Sequence, residues 1–392
     1  MLQLANAEVV EILDTQPQIQ FLRIRMQETG RVEQAFYLTG RELRCQLGDR
    51  VLVNTTAVAL DLGTGGYHIV VSKCNQAFAI DYFPSQWGHI MKQRYSPMQM
   101  AVDAVEEENS PYHSYFVGES ANLNHTPVII GELHSMLPMV ALSLYQRDSG
   151  CKLVYVMPDG ASLPIAISRH VHYLKQKGIL SSTVTVGHAW GGDLEAVNIY
   201  TGLLAAKEIA QADIILCMLG PGVVGTSTPY GFSGVQLADI IHAVTILQGI
   251  PICVPRIQFA DSRPAHVGLS HHTHTVLFKL ALCSVLVPLP IFGDFRDDIL
   301  LAQLNQPSPR SKHHMISLPA PSVEELERIQ QKYPEPIRTM GRDLYQDASL
   351  FQTSYVVAHV ANRIWSTLQQ RTSAYFLDQD VLETLAKLWD AE

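Results

Sequence analysis

Asp213-Ile214-Ile215-Leu216-Cys217-Met218-Leu219-Gly220-Pro221-Gly222-Val223-Val224-Gly225-Thr226 is the stretch that decides the fold. An apolar run over 214–219 without alternating polar residues reads as a strand buried on both faces, and such strands belong to parallel sheets covered by helices. The run stops at glycine and proline, and an amphipathic pattern over 235–247 then reads as the crossover helix. Working outward, strand-like runs recur at 128–131, 152–157, 183–187, 250–257 and 285–288, with helical patterns over 136–147, 163–176, 194–211 and 271–283 between them. The alternation predicts an α/β domain over 127–302, a doubly wound, mainly parallel sheet.

The flanks have a different character. Over 1–75, short apolar runs at 7–13, 19–26, 34–38, 50–54 and 68–72 are separated by Thr29-Gly30, Gly48-Asp49 and Gly63-Thr64-Gly65-Gly66, which predicts a small β-barrel-like domain. Residues 76–126 read as a connector, with a strand near 99–105. Residues 303–392 read as a loop over 303–321 followed by a helical tail, with a helix start at Ser322, Glu324 and Glu325 and helical periodicity over 347–369. The tail is expected to pack on the sheet domain or to make a homo-oligomer contact.

With 392 residues, 47% of them hydrophobic and 17% charged, the chain can bury a large core. Its net charge of −9 and the lack of a Lys/Arg block argue against nucleic acid as a partner. No apolar run reaches the roughly 20 residues of a membrane span, and the first residues lack the pattern of an export signal, so a cytoplasmic protein is expected. The six scattered cysteines are expected to be reduced.

In open parallel sheets ligands bind beyond the carboxyl ends of the strands, where helix amino-termini offer free N–H groups. Five consecutive predicted strands are followed there by glycine, histidine or a carboxylate. The first leads to Glu132 and His134, the second to Asp159-Gly160, and the third to His188 with Gly191-Gly192-Asp193. The fourth leads to Gly220, Gly222, Gly225 and Thr226, and the fifth to Asp261, Arg263, His266, His271, His272 and His274. Asp159-Gly160 also suits a plain turn, and Asp193 a helix cap. Gly220 to Thr226 is a candidate backbone cradle for an anion, although it is not the Walker pattern.

Imidazole and carboxylate are the usual ligands of zinc, manganese or iron, so His188, Asp261, His266 and His271 are candidate ligands of a divalent metal ion. Neighbouring helical residues point in different directions, so His271 and His272 are not expected to reach one ion, and His274 shares a face with His271. Without a metal, the histidines serve as acid–base groups and Arg263 as an anion anchor. No Gly-x-Ser-x-Gly elbow follows a strand, which argues against a serine hydrolase.

The string from Gly187-His188-Ala189-Trp190-Gly191-Gly192 to Asn198, with the Gly220–Thr226 loop, Ser270-His271-His272, Asn54-Thr55-Thr56-Ala57-Val58 and Leu62-Gly63-Thr64-Gly65-Gly66, resembles the bacterial family called domain of unknown function 3866. The resemblance implies a shared architecture over most of the chain and brings no assigned reaction. From the residues, the leading expectation is a metal-assisted hydrolase of a small anionic, phosphorylated molecule. In it His188, Asp193, Asp261, Arg263 and His271 are the catalytic candidates. The alternative is a non-catalytic module that binds a nucleotide or sugar phosphate.

Overall fold

The computed structural model describes residues 2–38, 44–61, 65–74, 86–96, 98–118, 121–305, 313–331 and 333–370. Leu62, Gly63 and Thr64 lie outside the described residues, as does the tail beyond Gln370. The chain divides into two compact units, Met1–Val102 and Asp103–Glu392.

In the first unit, strands β1 (Leu4–Gln16), β2 (Ile19–Met26), β3 (Val32–Leu38), β4 (Arg50–Asn54) and β5 (His68–Lys73) close into a barrel in the order β1-β2-β3-β5-β4. A short helix, α1 (Thr56–Ala59), joins β4 to β5. Closure leaves no unpaired edge, and the alternating inward residues Val9, Leu22, Ile24, Ala35, Val51, Val53 and Val70 fill the interior. A hairpin of β6 (Ile90–Lys92) and β7 (Met100–Val102) completes this unit.

The second unit is an eight-stranded sheet in which every pairing is parallel. Its strands are β8 (Pro127–Gly131), β9 (Leu153–Met157), β10 (Leu180–Val186), β11 (Leu194–Ala196), β12 (Ile214–Met218), β13 (Ile250–Val254), β16 (Leu286–Ile291) and β17 (His314–Pro319), and their order is β11-β10-β9-β12-β8-β13-β16-β17. Two two-residue strands, β14 (Ile257–Gln258) and β15 (Gly268–Leu269), pair with each other beside it. Helices α2 (Met136–Arg147), α3 (Arg169–Gln176), α8 (Val323–Gln330) and α9 (Ser349–Gln370) cover one face, and α4 (Ile199–Leu204), α5 (Gln236–Ile246) and α6 (His271–Thr275) the other, where α7 (Phe295–Leu304) also contributes Leu300. The architecture is the doubly wound α/β sheet with an amino-terminal barrel expected from the sequence.

The differences are local. The pattern over 194–211 opens with edge strand β11, because Asn198 caps the following helix by accepting from Tyr200 N and Thr201 N. Helix α3 starts later than expected, at the Ser168 cap, which accepts from Val171 N. The run over 250–257 breaks into β13 and β14. Strand β17 falls within the expected 303–321 loop, where its mixed burial concealed a strand signal. The expected connector is shared between the units, its later part being tied to the sheet by Val105 N on Glu195 O and Leu123 N on Leu247 O. The tail packs on the sheet domain, one of the two arrangements expected for it, with Leu350, Phe351, Val357, Ala361 and Ile364 of α9 joining the core with α2. No helix among the described residues is long and apolar enough to cross a membrane.

Gly202 marks how closely α4 approaches the sheet, because a Cβ there would lie 2.2 Å from Val186 Cγ1. Helix propensity alone favours alanine over glycine by about 1 kcal/mol. The clash with a buried strand side chain outweighs it, so Gly202→Ala is expected to destabilise by roughly 1–3 kcal/mol. Thermal unfolding checks this, and an unchanged or higher melting temperature would refute the close packing.

Candidate functional site

Strand β8 lies where the outgoing chains part. The chain leaving it crosses to the α2 face, whereas the chains leaving its two neighbours, β12 and β13, cross to the opposite face. Loops that diverge in this way open a crevice at the carboxyl edge. Glu132, the first residue after β8, stands there with 4% of its surface exposed.

Two groups meet this carboxylate. His272 Nδ1 lies 2.5 Å and Arg256 Nη1 3.5 Å from Glu132 Oε1. A carboxylate only accepts, so Nδ1 of His272 donates and Nε2 is the ring nitrogen left for a ligand. The His272 ring also stacks on Phe232 with centroids 3.9 Å apart and packs beside Gly225, where a Cβ would come within 3.5 Å of Cε1.

The chain after β13 is folded back so that distant residues converge. Arg256 accepts Ser270 N through its carbonyl, its own N–H donates to Thr273 Oγ1, and β14 pairs with β15. Asp347 Oδ2 accepts Phe259 N and Ala260 N and anchors the start of the intervening loop. Ser270 caps α6 by accepting His272 N, and its Oγ is 2.8 Å from His266 Nδ1. One ring nitrogen from each of His266, His271 and His272 therefore lies within 4.8 Å of the other two. Burial, with Arg256 and Arg263 nearby, pushes His266 down to about 3, and burial with His272 lowers His271. Both are neutral at ordinary pH, the form that offers a lone pair to a metal.

These imidazoles line a cavity of about 110 Å³ with Glu132, Arg256, Arg263, Val223, Val224, Gly225, Ser227 and Met340. That is well below the roughly 300–1,000 Å³ of pockets that enclose drug-sized molecules, so it suits a small group.

The remaining candidates have other surroundings. The three-imidazole group does not include His188 or Asp261. His188 N donates to Asp159 Oδ2, and Asp159 also accepts Ser162 N, so these residues fasten the ends of β9 and β10 together. Gln236 Nε2 donates to the Asp159 carbonyl, beside Gly160. Asp193 pairs with Lys175 and accepts Thr183 N. Gly191 N donates to Glu195 and Gly192 N to Thr185 Oγ1, which ties this glycine pair into the connection from β10 to β11. His134 lies on the α2 face, with Nε2 2.5 Å from Ser168 Oγ.

Asp261 accepts Arg263 Nε and Nη2, each at 2.9 Å, and Arg342 Nη2 at 3.1 Å. The Arg263 hydrogen bonds hold it well below the usual carboxylate range. Its oxygens are thus occupied as an arginine anchor rather than grouped with the imidazoles. The loop after β12 is a hairpin in which Val224 N donates to Ser233 Oγ and Thr226 N to Gly231 O, so these two N–H groups serve the hairpin itself. Gly220 is packed against Leu163 and Met157, and Gly222 supplies a positive φ of 90°.

The expectation that His271 and His272 diverge is corrected, as their centroids are 4.3 Å apart, while His274 packs on Phe278. Helix α6 begins at His271, so no earlier turn separates the two rings. Sequence reasoning missed Arg256 as a site residue. Its signal was a lone cation inside the apolar run over 250–257, since a buried charge requires a partner.

Residues 36–358 match the family model described as Protein of unknown function (DUF3866). The chain belongs to this family. No curated protein and no solved structure matches it. The resemblance read from Gly187 to Asn198 and from the Gly220–Thr226 loop is thereby shown, and the DUF3866 site rests on its own geometry.

Burial lowers His134 to about 3 and His170 to about 4. As pH falls below about 6.5, the unfolded chain takes up these protons first, so stability is full above that pH and declines below it. The loss is about 1.4 kcal/mol per pH unit for each histidine until its folded value is reached. Melting temperatures at pH 7.5, 6.0 and 5.0 check this, with a smaller drop expected in His134→Gln; equal drops in both proteins would contradict it.

Proposed function

We propose that this protein is a cytoplasmic, metal-assisted hydrolase of a small anionic, phosphorylated molecule, with His266, His271 and His272 as the metal ligands. The observation that carries the reading is the approach of three imidazole nitrogens to within 4.8 Å, backed by a buried carboxylate on His272 Nδ1. Histidine ligands commonly donate their second N–H to a carboxylate, which fixes the tautomer and strengthens the ligand. Ser270 Oγ has lone pairs for both His272 N–H and His266 Nδ1–H, which leaves His266 Nε2 for the ion as well.

Three protein ligands with an open position is the pattern of catalytic zinc sites, where the ion polarises the substrate and lowers the pKa of a water. The surroundings favour an anion. Arg263 and Arg342 act on Arg256 together with the carboxylates Glu132 and Asp261, and Arg256 and Arg263 both line the cavity. In the hydrolysis, a water oxygen bonds to phosphorus, the ester P–O bond breaks, and the leaving oxygen takes its bonding pair and a proton. The arginines stabilise the charge that builds on the phosphoryl oxygens.

Elemental analysis of the purified protein is expected to find about one divalent transition metal per chain. Alanine at His266, His271 or His272 is expected to abolish retention, and Glu132→Gln to weaken affinity about 10–100-fold. Phosphomonoesterase activity is expected to disappear with a chelator and return with the metal. A wild-type protein that holds no metal when supplied with zinc, manganese or iron would sink the reading.

A further inference from the structure

Arg256 is 2% exposed and lines the cavity, yet only part of its guanidinium is engaged. Nη1 faces Glu132, and the backbone is stapled to Ser270 and Thr273. Nε and Nη2 are buried and have no acceptor among the described residues. These two nitrogens form one edge of the guanidinium and direct two nearly parallel N–H bonds. The same edge of Arg263 demonstrates what it recognises, holding both oxygens of Asp261 at 2.9 Å. Buried donors of this kind are rarely left unsatisfied in native proteins, least of all on a charged group.

We infer that Arg256 is a phosphoryl-binding, specificity-determining residue, whose Nε–H and Nη2–H take two oxygens of the terminal phosphate of a phosphomonoester beside the three histidines. The inference deepens the proposed function and rests on its anionic ligand. A planar fork matches two oxygens of one phosphate, a recognition that lysine cannot reproduce. The small cavity selects an end group, because an internal diester would have to thread chain through both sides of a space of about 110 Å³. Glu132 ties the parts together, since the same oxygen orients His272 and holds the far end of Arg256.

The test uses the full chain and inorganic phosphate as the probe, with calorimetry before and after removal of metal by a chelator. Wild-type protein is expected to bind phosphate in both states. Arg256→Lys, which keeps the charge opposite Glu132, is expected to bind it at least about tenfold more weakly at unchanged metal content. Equal phosphate affinity in Arg256→Lys and wild type, or no phosphate binding by wild type, would overturn the inference. Should the variant fail to fold, the arginine Nε–H resonances of wild-type protein decide: a buried one is expected to shift on phosphate addition, and none shifting overturns the inference. Phosphate binding without any metal uptake would defeat the hydrolase reading alone, and metal uptake without phosphate binding would defeat this one alone.

Discussion

The candidate site depends on one buried carboxylate. Glu132 is removed from water at the carboxyl end of β8, a position that costs several kcal/mol for an ion left without partners. It is met by His272 and Arg256, which arrive from α6 and from the end of β13. Without Glu132, the histidine would lose the group that selects its tautomer, and the arginine would become a buried cation without a counter-ion. The pairing therefore explains why these three side chains hold their relative positions, and the imidazoles of His266 and His271 are arranged against it.

The sheet topology places this carboxylate beside a crevice at the carboxyl edge. Around β8 the outgoing chain parts from those of both its neighbours. At β9, β10 and β11 similar polar residues join neighbouring loops: Asp159 binds the His188 and Ser162 amides, Asp193 spans to Thr183 and Lys175, and Glu195 takes Thr185 and Gly191. Loops at a sheet edge need such fasteners, because each leaves backbone donors that the sheet does not satisfy. Identical residue types thus fasten loops at β9, β10 and β11 and line a cavity beside β8.

Charge is distributed with the same economy of means. Asp261 neutralises Arg263 and contacts Arg342, which holds the 259–267 loop against the 339–347 segment and leaves Arg256 to share Glu132 with an imidazole. This allocation leaves Arg256 and Arg263 lining the cavity together with Glu132.

The α/β class, the barrel and most element positions were legible in the sequence because they follow from local periodicity: unbroken apolar runs can be buried only between helix layers, and turn residues interrupt them wherever they occur. The carboxyl edge and its chemical residue types were legible for the same reason. What the sequence left open was which of those residues share a space, and that depends on strand order, since β12 inserts between β8 and β9 and brings neither neighbour close in sequence. His272 and Glu132 are 140 residues apart, Arg256 hid within an apolar run, and Asp261 was indistinguishable from a metal ligand until Arg263 and Arg342 were seen to hold it. Periodicity is a property of neighbours along the chain, whereas a binding site is a property of neighbours across it, so only the folded sheet could decide between them.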